Sequence, residues 1–393
     1  MTRPLVEAPR PPTSGLPRMR IAFVSYDFGE YCVRIASALA VFADVLLCLP
    51  GHLASPYMSL LNPRVELFTF EKPRLRSPIQ QLGASNRLCR AIRAFSPDLL
   101  HLQQGHMWFN LFALPRLRSV PLVVTVHDPR HHVGDREGQK TWQGVYDLAF
   151  RRARHLIVHG EQQSLEVQER LNVPPSVVSV VPHVMIGEAA AGRDDPAPPE
   201  STPTVLFFGR IWPYKGLDYL IQAQPAISRA VPEARIVIAG EGEDFSRYRR
   251  LMKDPEAFIV HNEYVPDDRR DELFRAASVV VLPYIDASQS GVVPVAQAHA
   301  KPVVVTSAGS LAESVEDGTE GYVVPPRDSE ALANAVIRLL QDPQLRRAMG
   351  KAGRKRITTR NSPTAVARLT ARAYHSVLAP DAVQREGTFG WNG

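Results

Sequence analysis

Residues 282–305 read LPYIDASQSGVVPVAQAHAKPVVV. One apolar strand ends at Pro283, and a second runs from Pro302 to Val305. The turn between them is small and polar, and a short helix opens near Ser290 or Gly291. Pro294 fixes that start, because proline's missing N–H is tolerated only in a helix's first turn. A small-residue turn feeding a helix N-terminus after a buried strand suits an anion. Free N–H groups and the positive end of the helix dipole point at it, and glycine permits close approach. Gln289 and Gln297 stand eight residues apart around this turn.

The same alternation extends in both directions. Strand-like runs are expected at 20–25, 44–49, 65–70, 99–102, 122–126, 156–158 and 177–181, then at 204–208, 235–239, 258–260, 279–282, 303–306 and 321–324. Helix-period stretches separate them, among them 31–42, 80–95, 142–152, 163–171, 217–230, 267–276 and 330–341. Short apolar strands alternating with helices predict parallel sheets covered on both faces. Two such blocks in series predict an α/β protein of two doubly wound, Rossmann-like domains facing a central cleft.

The expected divisions are a disordered tail at 1–18, a first domain at 19–183, an exposed Ala-, Pro- and Asp-rich connector at 184–203, a second domain at 204–361 and a disordered tail at 379–393. A last helix over 362–378, capped by Ser362 before Pro363, is expected to pack back on the first domain.

The chain has 393 residues, enough for two cores, and its 45% apolar and 22% charged content is that of a soluble globular protein. No apolar run approaches a membrane span. The first 18 residues lack the apolar segment of a secretory signal. Three cysteines, Cys32, Cys48 and Cys89, show no pairing or metal spacing, which points to a reducing, cytoplasmic setting. The net charge of +6 lies wholly in the first half: residues 1–190 carry 21 Lys and Arg against 15 Asp and Glu, and the remainder is balanced at 25 each. A solvated face is the plainer reading; peripheral docking on the anionic inner face of a membrane, or an anionic acceptor, is the sharper one. No basic motif interleaved with aromatics suits nucleic acid.

Three features at strand carboxyl ends converge. Residues 205–216, VLFFGRIWPYKG, place Arg210 and Lys215 after Gly209, a guanidinium fork and an ammonium in one loop. Residues 239–243, AGEGE, allow close backbone approach at Gly240 beside Glu241. With the Ser290–Gly291 helix start they describe a nucleoside diphosphate site.

At this point the chain resembles the family 4 retaining glycosyltransferases of GT-B fold, also called group 1. The motifs are FFGRIWPYKG, VIAGEGE, residues 280–305, and AGSLAESVEDGTEGYVVPPRDSEAL at 308–332, with VVTVHD (123–128), LIVHGE (156–161) and VVPH (180–183) in the first half. The resemblance implies that Arg210 and Lys215 grip the donor diphosphate and stabilise the leaving group, and that the Ser290, Gly291 and Val292 amides cap the distal phosphate. It places His127 against the transferred sugar and Gly29 beside donor phosphate or acceptor. In that loop, DFGEY, Glu30 is an acceptor-side candidate, as are Asp128 and His159. Gln289 and Gln297 stand where the family has glutamates facing donor sugar and ribose.

The implied activity is metal-independent, retaining transfer of a sugar from a nucleoside diphosphate donor to a glycan, lipid-linked or small-molecule hydroxyl. The nucleotide sugar is a substrate, and no cofactor is expected. His127, His131 and His132 superficially suggest a metal cluster but lack a carboxylate framework or regular spacing. Competing readings are a nucleotide-sugar-binding protein without transfer, which the glutamines favour, and a nucleotide-sugar epimerase, which would need acid/base carboxylates beyond Glu30, Asp128 and Glu241. A nicotinamide oxidoreductase is disfavoured, because residues 22–30 lack GxGxxG after the first strand.

Overall fold

The computed structural model describes residues 18–132, 134, 141–187 and 202–379. Seven strands form the first sheet: β1 (Met19–Val24), β2 (Ala43–Pro50), β3 (Glu66–Phe70), β4 (Leu99–Gln103), β5 (Leu122–Thr125), β6 (His155–Val158) and β7 (Val178–Val180). Six form the second: β8 (Thr204–Phe208), β9 (Arg235–Ala239), β10 (Phe258–His261), β11 (Val279–Leu282), β12 (Val303–Thr306) and β13 (Gly321–Val324). The orders are β3-β2-β1-β4-β5-β6-β7 and β10-β9-β8-β11-β12-β13. Every pairing between them is parallel.

Alternate residues of a strand face opposite sides of its sheet, so a strand buried on both faces is apolar throughout. In β1, Ile21 and Phe23 enter one core while Ala22 and Val24 enter the other. In β8, Val205 and Phe207 do the same opposite Leu206. Each of the larger side chains among these contributes about 1.5–3 kcal/mol by leaving water. Strand order reverses beside β1 in one sheet and beside β8 in the other. The loops leaving these two strands therefore open into the crevices where ligands bind in such sheets.

The last helix, Pro363–Leu378, buries Val366, Ala367, Ala371 and Tyr374 in the first domain's core. The chain thus crosses between domains twice. The crossings are bonded to each other: Met185 N–H donates to the Asn361 carbonyl at 2.9 Å, and the Asn361 amide donates to the His183 carbonyl at 2.6 Å.

Two expectations differ. Val184 and Met185, read as exposed connector, are buried; residues 188–201 lie outside the described residues, as do 1–17 and 380–393. Arg18, assigned to the tail, is tied to Asp44 at 3.0 Å. An 18-residue helix, Pro343–Arg360, was not expected. It docks through glycines: a Cβ on Gly350 would lie 1.9 Å from the Ala300 carbonyl oxygen.

Candidate active site

A cavity of about 340 Å³ opens between the carboxyl ends of the two sheets. The second domain lines it with Gly209, Arg210, Lys215 and Gln289–Val292, and the first with Phe28, His127, Asp128 and His132.

Beyond β8, Gly209 adopts φ +120°. A turn at Pro213–Lys215 follows and ends at Gly216, with φ +64°. A Cβ at Gly216 would lie 1.9 Å from the Pro283 carbonyl oxygen. This backbone contact presses the Lys215 loop onto the residues 282–305 segment. The Lys215 ammonium stands 3.8 Å from the Tyr284 ring centroid and 4.9 Å from that of Tyr214. Both rings offer it their negative faces. Arg210 is exposed at the rim, its guanidinium 3.5 Å from the Tyr214 hydroxyl. The short helix runs Val292–Ala298, with Pro294 in its first turn and the Ser290 hydroxyl accepting from Val292 N–H at 3.2 Å.

On the opposite wall, His127 follows β5. Its Nε2 lies 2.8 Å from Gln103 Oε1, which makes that nitrogen the donor and leaves Nδ1 as a lone pair. Nδ1 is buried without a partner. Burial first, then neighbouring His159, His183 and His101, push this imidazole well below its usual pKa, so it is neutral. His159 donates from Nδ1 to the Val181 carbonyl, and burial pushes it down to about 4. His183, similarly bonded to Val184, falls to about 3 through burial. The rings of these three histidines surround Tyr31. Among the described residues, no three His, Cys, Asp or Glu side chains converge as a metal ion requires.

His132, weighed in the sequence only as part of a superficial metal cluster, has a different place in the structure. Its Nε2 meets Asp128 Oδ1 at 3.0 Å and its Nδ1 meets Asp286 Oδ2 at 3.0 Å. Its ring stacks on Tyr214 at 4.6 Å. Burial opposes its charge, but the hydrogen bonds to Asp128 and Asp286 outweigh burial and raise its pKa to about 9. The same contact holds Asp128 below its usual value despite the burial that opposes ionisation. One imidazolium therefore joins a carboxylate from each domain. The spacing Asp128–His132 is visible in the sequence; the third member, 154 residues on, is not.

Several expected site residues are placed elsewhere. Gln297 is buried, donating to the Ser314 carbonyl at 3.0 Å beside Glu320 at 3.4 Å. Val292 and Val295 are the side chains its helix turns to the cavity. Two residues beyond Val295 is about 200° around the helix, which aims Gln297 at the far side. With His159 and His183 it lines a further cavity of about 150 Å³, which meets the first at Gln289 and Ser290. Glu30 is also not open to the cleft. It accepts from Arg34 at 2.8 Å and Gly187 N–H at 2.7 Å, with Arg270 of the second domain at 3.6 Å. Gly29 does not line the cavity; a Cβ there would lie 2.4 Å from the Leu53 carbonyl oxygen, so packing requires the glycine. Phe28 faces the cleft instead, at φ +61° and stacked on His127 at 4.1 Å. Gly240 serves contact between loops: its Cβ would lie 2.2 Å from the Gly209 carbonyl oxygen. Glu241 is exposed, its carbonyl accepting from Ile211 N–H at 2.8 Å.

Two family models cover most of the chain: glycosyl transferase 4-like domain over residues 28–183, and glycosyl transferases group 1 over residues 202–342. The D-inositol 3-phosphate glycosyltransferase of Kribbella flavida is 32% identical over 315 residues, 70% of this chain and 71% of that protein. The glycogen synthase of Mycobacterium tuberculosis is 28% identical over 295 residues, 72% of this chain and 69% of that protein. Among solved structures, Anabaena HepE in complex with UDP and glucose superposes with TM-score 0.70 at 20% identity, covering 91% of this chain and 100% of that one. Sucrose-phosphate synthase from Thermosynechococcus elongatus does so with TM-score 0.68 at 19% identity, covering 93% of this chain and 100% of that one. The chain belongs to the family 4, group 1 glycosyltransferases and has their two-domain GT-B fold.

Proposed function

We propose that this glycosyltransferase takes its sugar from a nucleoside diphosphate donor and transfers it, with retention at the anomeric carbon, to an acceptor hydroxyl. The observation that carries the reading is the pairing of Arg210 and Lys215 in a cavity whose one carboxylate, Asp128, is engaged by His132. A diphosphate placed there meets two cations, and charge developing on the departing nucleotide is stabilised where it forms. That HepE was solved with UDP and glucose supports the donor class. The bare Nδ1 of His127 and the unpartnered Oε1 of Gln289 are acceptors for hydroxyls of the transferred sugar. Asp128 is tied to His132 and poorly placed to serve as a covalent nucleophile, which supports a front-face departure in which the leaving phosphate oxygen takes the acceptor proton. The diphosphate charge needs no cation beyond these side chains in this reading.

Among the described residues, no helix is long and apolar enough to cross a membrane. The basic first half supports peripheral contact with an anionic membrane face. The test is nucleoside diphosphate release from a panel of nucleotide sugars, with the product anomer assigned by NMR. An inverted anomer removes the front-face mechanism. Saturable donor binding without turnover on any acceptor supports binding alone, the reading favoured by glutamine at position 289.

A further inference from the structure

A second, larger cavity of about 720 Å³ adjoins the first and shares Phe28, Asp128, His132 and Arg210 with it. A molecule there would adjoin, at this shared rim, a donor held in the first cavity. The cavity presents four Lys or Arg side chains against two carboxylates, Asp27 and Asp128. Those carboxylates are already engaged, Asp27 by Lys72 at 2.7 Å and Asp128 by His132. Arg130 is paired with Glu166 at 2.9 Å. Arg74 is exposed and has no carboxylate partner among the described residues. A guanidinium in this position is a fork for an oxyanion.

A different observation points to hydroxyls. His106 lines the same cavity at 7% exposure, its ring stacked on Tyr26 at 4.0 Å. Neither ring nitrogen has a hydrogen-bond partner. Burial first, then Lys72, pushes its pKa down to about 4, so it is neutral and offers one N–H and one lone pair. A buried polar group left unpaired is costly, and a hydroxyl, donor and acceptor at once, satisfies either nitrogen.

We propose that the 720 Å³ cavity is the acceptor site and takes a polyhydroxylated molecule carrying an anionic group, phosphate or carboxylate, with Arg74 on the anion and His106 on a hydroxyl. This rests on the donor reading above. It also gives the basic first half a specific use.

The test uses the full chain, saturated with nucleoside diphosphate, in calorimetric titrations with glucose, glucose 6-phosphate and glucuronic acid. The phosphate and carboxylate arms identify the anion. At least one anionic probe binds about tenfold more tightly than glucose at low salt, and the ratio shrinks as ionic strength rises. Arg74→Gln, at an exposed position that folding tolerates, brings the ratio near one and leaves nucleoside diphosphate affinity unchanged. His106→Gln weakens all three probes alike. Equal binding of glucose and both anionic probes overturns the proposal, as does a preference that survives Arg74→Gln. So does displacement of nucleoside diphosphate by glucose 6-phosphate, which would put the anion on Arg210 and Lys215. Undiminished binding to His106→Gln overturns the hydroxyl assignment. Failure of nucleoside diphosphate itself to bind sinks the donor reading instead, and the anionic preference is then read without it.

Discussion

His132 of the first domain and Asp286 of the second meet at 3.0 Å across the cleft, while the other nitrogen of the same ring holds Asp128. Donating to both carboxylates at once requires both ring nitrogens to be protonated, so this contact between the domains depends on the ring being charged. Its pKa is raised from 6.5 to about 9 by these contacts. The stabilisation is therefore complete below about 6.5 and is lost as pH climbs through about 9. Small-angle scattering should show the radius of gyration increasing between pH 8 and 10. In His132→Gln, which cannot titrate, the radius should stay constant over that window.

Arg210→Ala and Lys215→Ala should each lower kcat by roughly 10²-fold or more, the usual scale for removing a group that stabilises developing charge. Thermal melting of the free protein should change little for Arg210→Ala, because that side chain is exposed. Lys215→Ala should also lose its contacts with Tyr284 and Tyr214, and about 1 kcal/mol of stability with them.

The two glutamines should answer differently to restored charge. Gln289→Glu puts a carboxylate on the 340 Å³ cavity and should change turnover with little change in melting temperature. Gln297→Glu buries a carboxyl beside Glu320, 3.4 Å away, in an enclosed setting. It should cost roughly 2–4 kcal/mol, read as a lowered melting temperature with donor affinity preserved. Equal stability of the two variants would contradict the placement of Gln297.

Gly216→Ala should destabilise by roughly 2–4 kcal/mol, combining a positive φ with a methyl driven into the Pro283 carbonyl. It should also raise KM for the donor, because the same contact positions Lys215.

The inner strands were legible because both their faces are buried, leaving unbroken apolar runs such as Val279–Leu282. The partly exposed edge strands β3, β7, β10 and β13 were legible as short runs in the same alternation with helices. The turn before the short helix was legible for a local reason: Pro294 and Gly291 constrain backbone within one helical turn. Helix Pro343–Arg360 was not, because its buried set is Arg346, Met349, Gly350, Gly353 and Ile357 rather than an apolar stripe. Glycines that admit a neighbouring backbone leave no hydrophobic period to read. Gln297 was misplaced by counting residues where direction around a helix decides. The ring joining Asp128 to Asp286 required the two sheets to be placed face to face, which no local pattern encodes.

The bond between Met185 and Asn361 has a mechanical meaning. A body held by one tether can swing and twist about any direction. Here the chain passes between the domains twice, and the two passages are pinned together at Asn361. Any relative motion of the two domains must therefore bend both passages at once, with Asn361 as their common pivot.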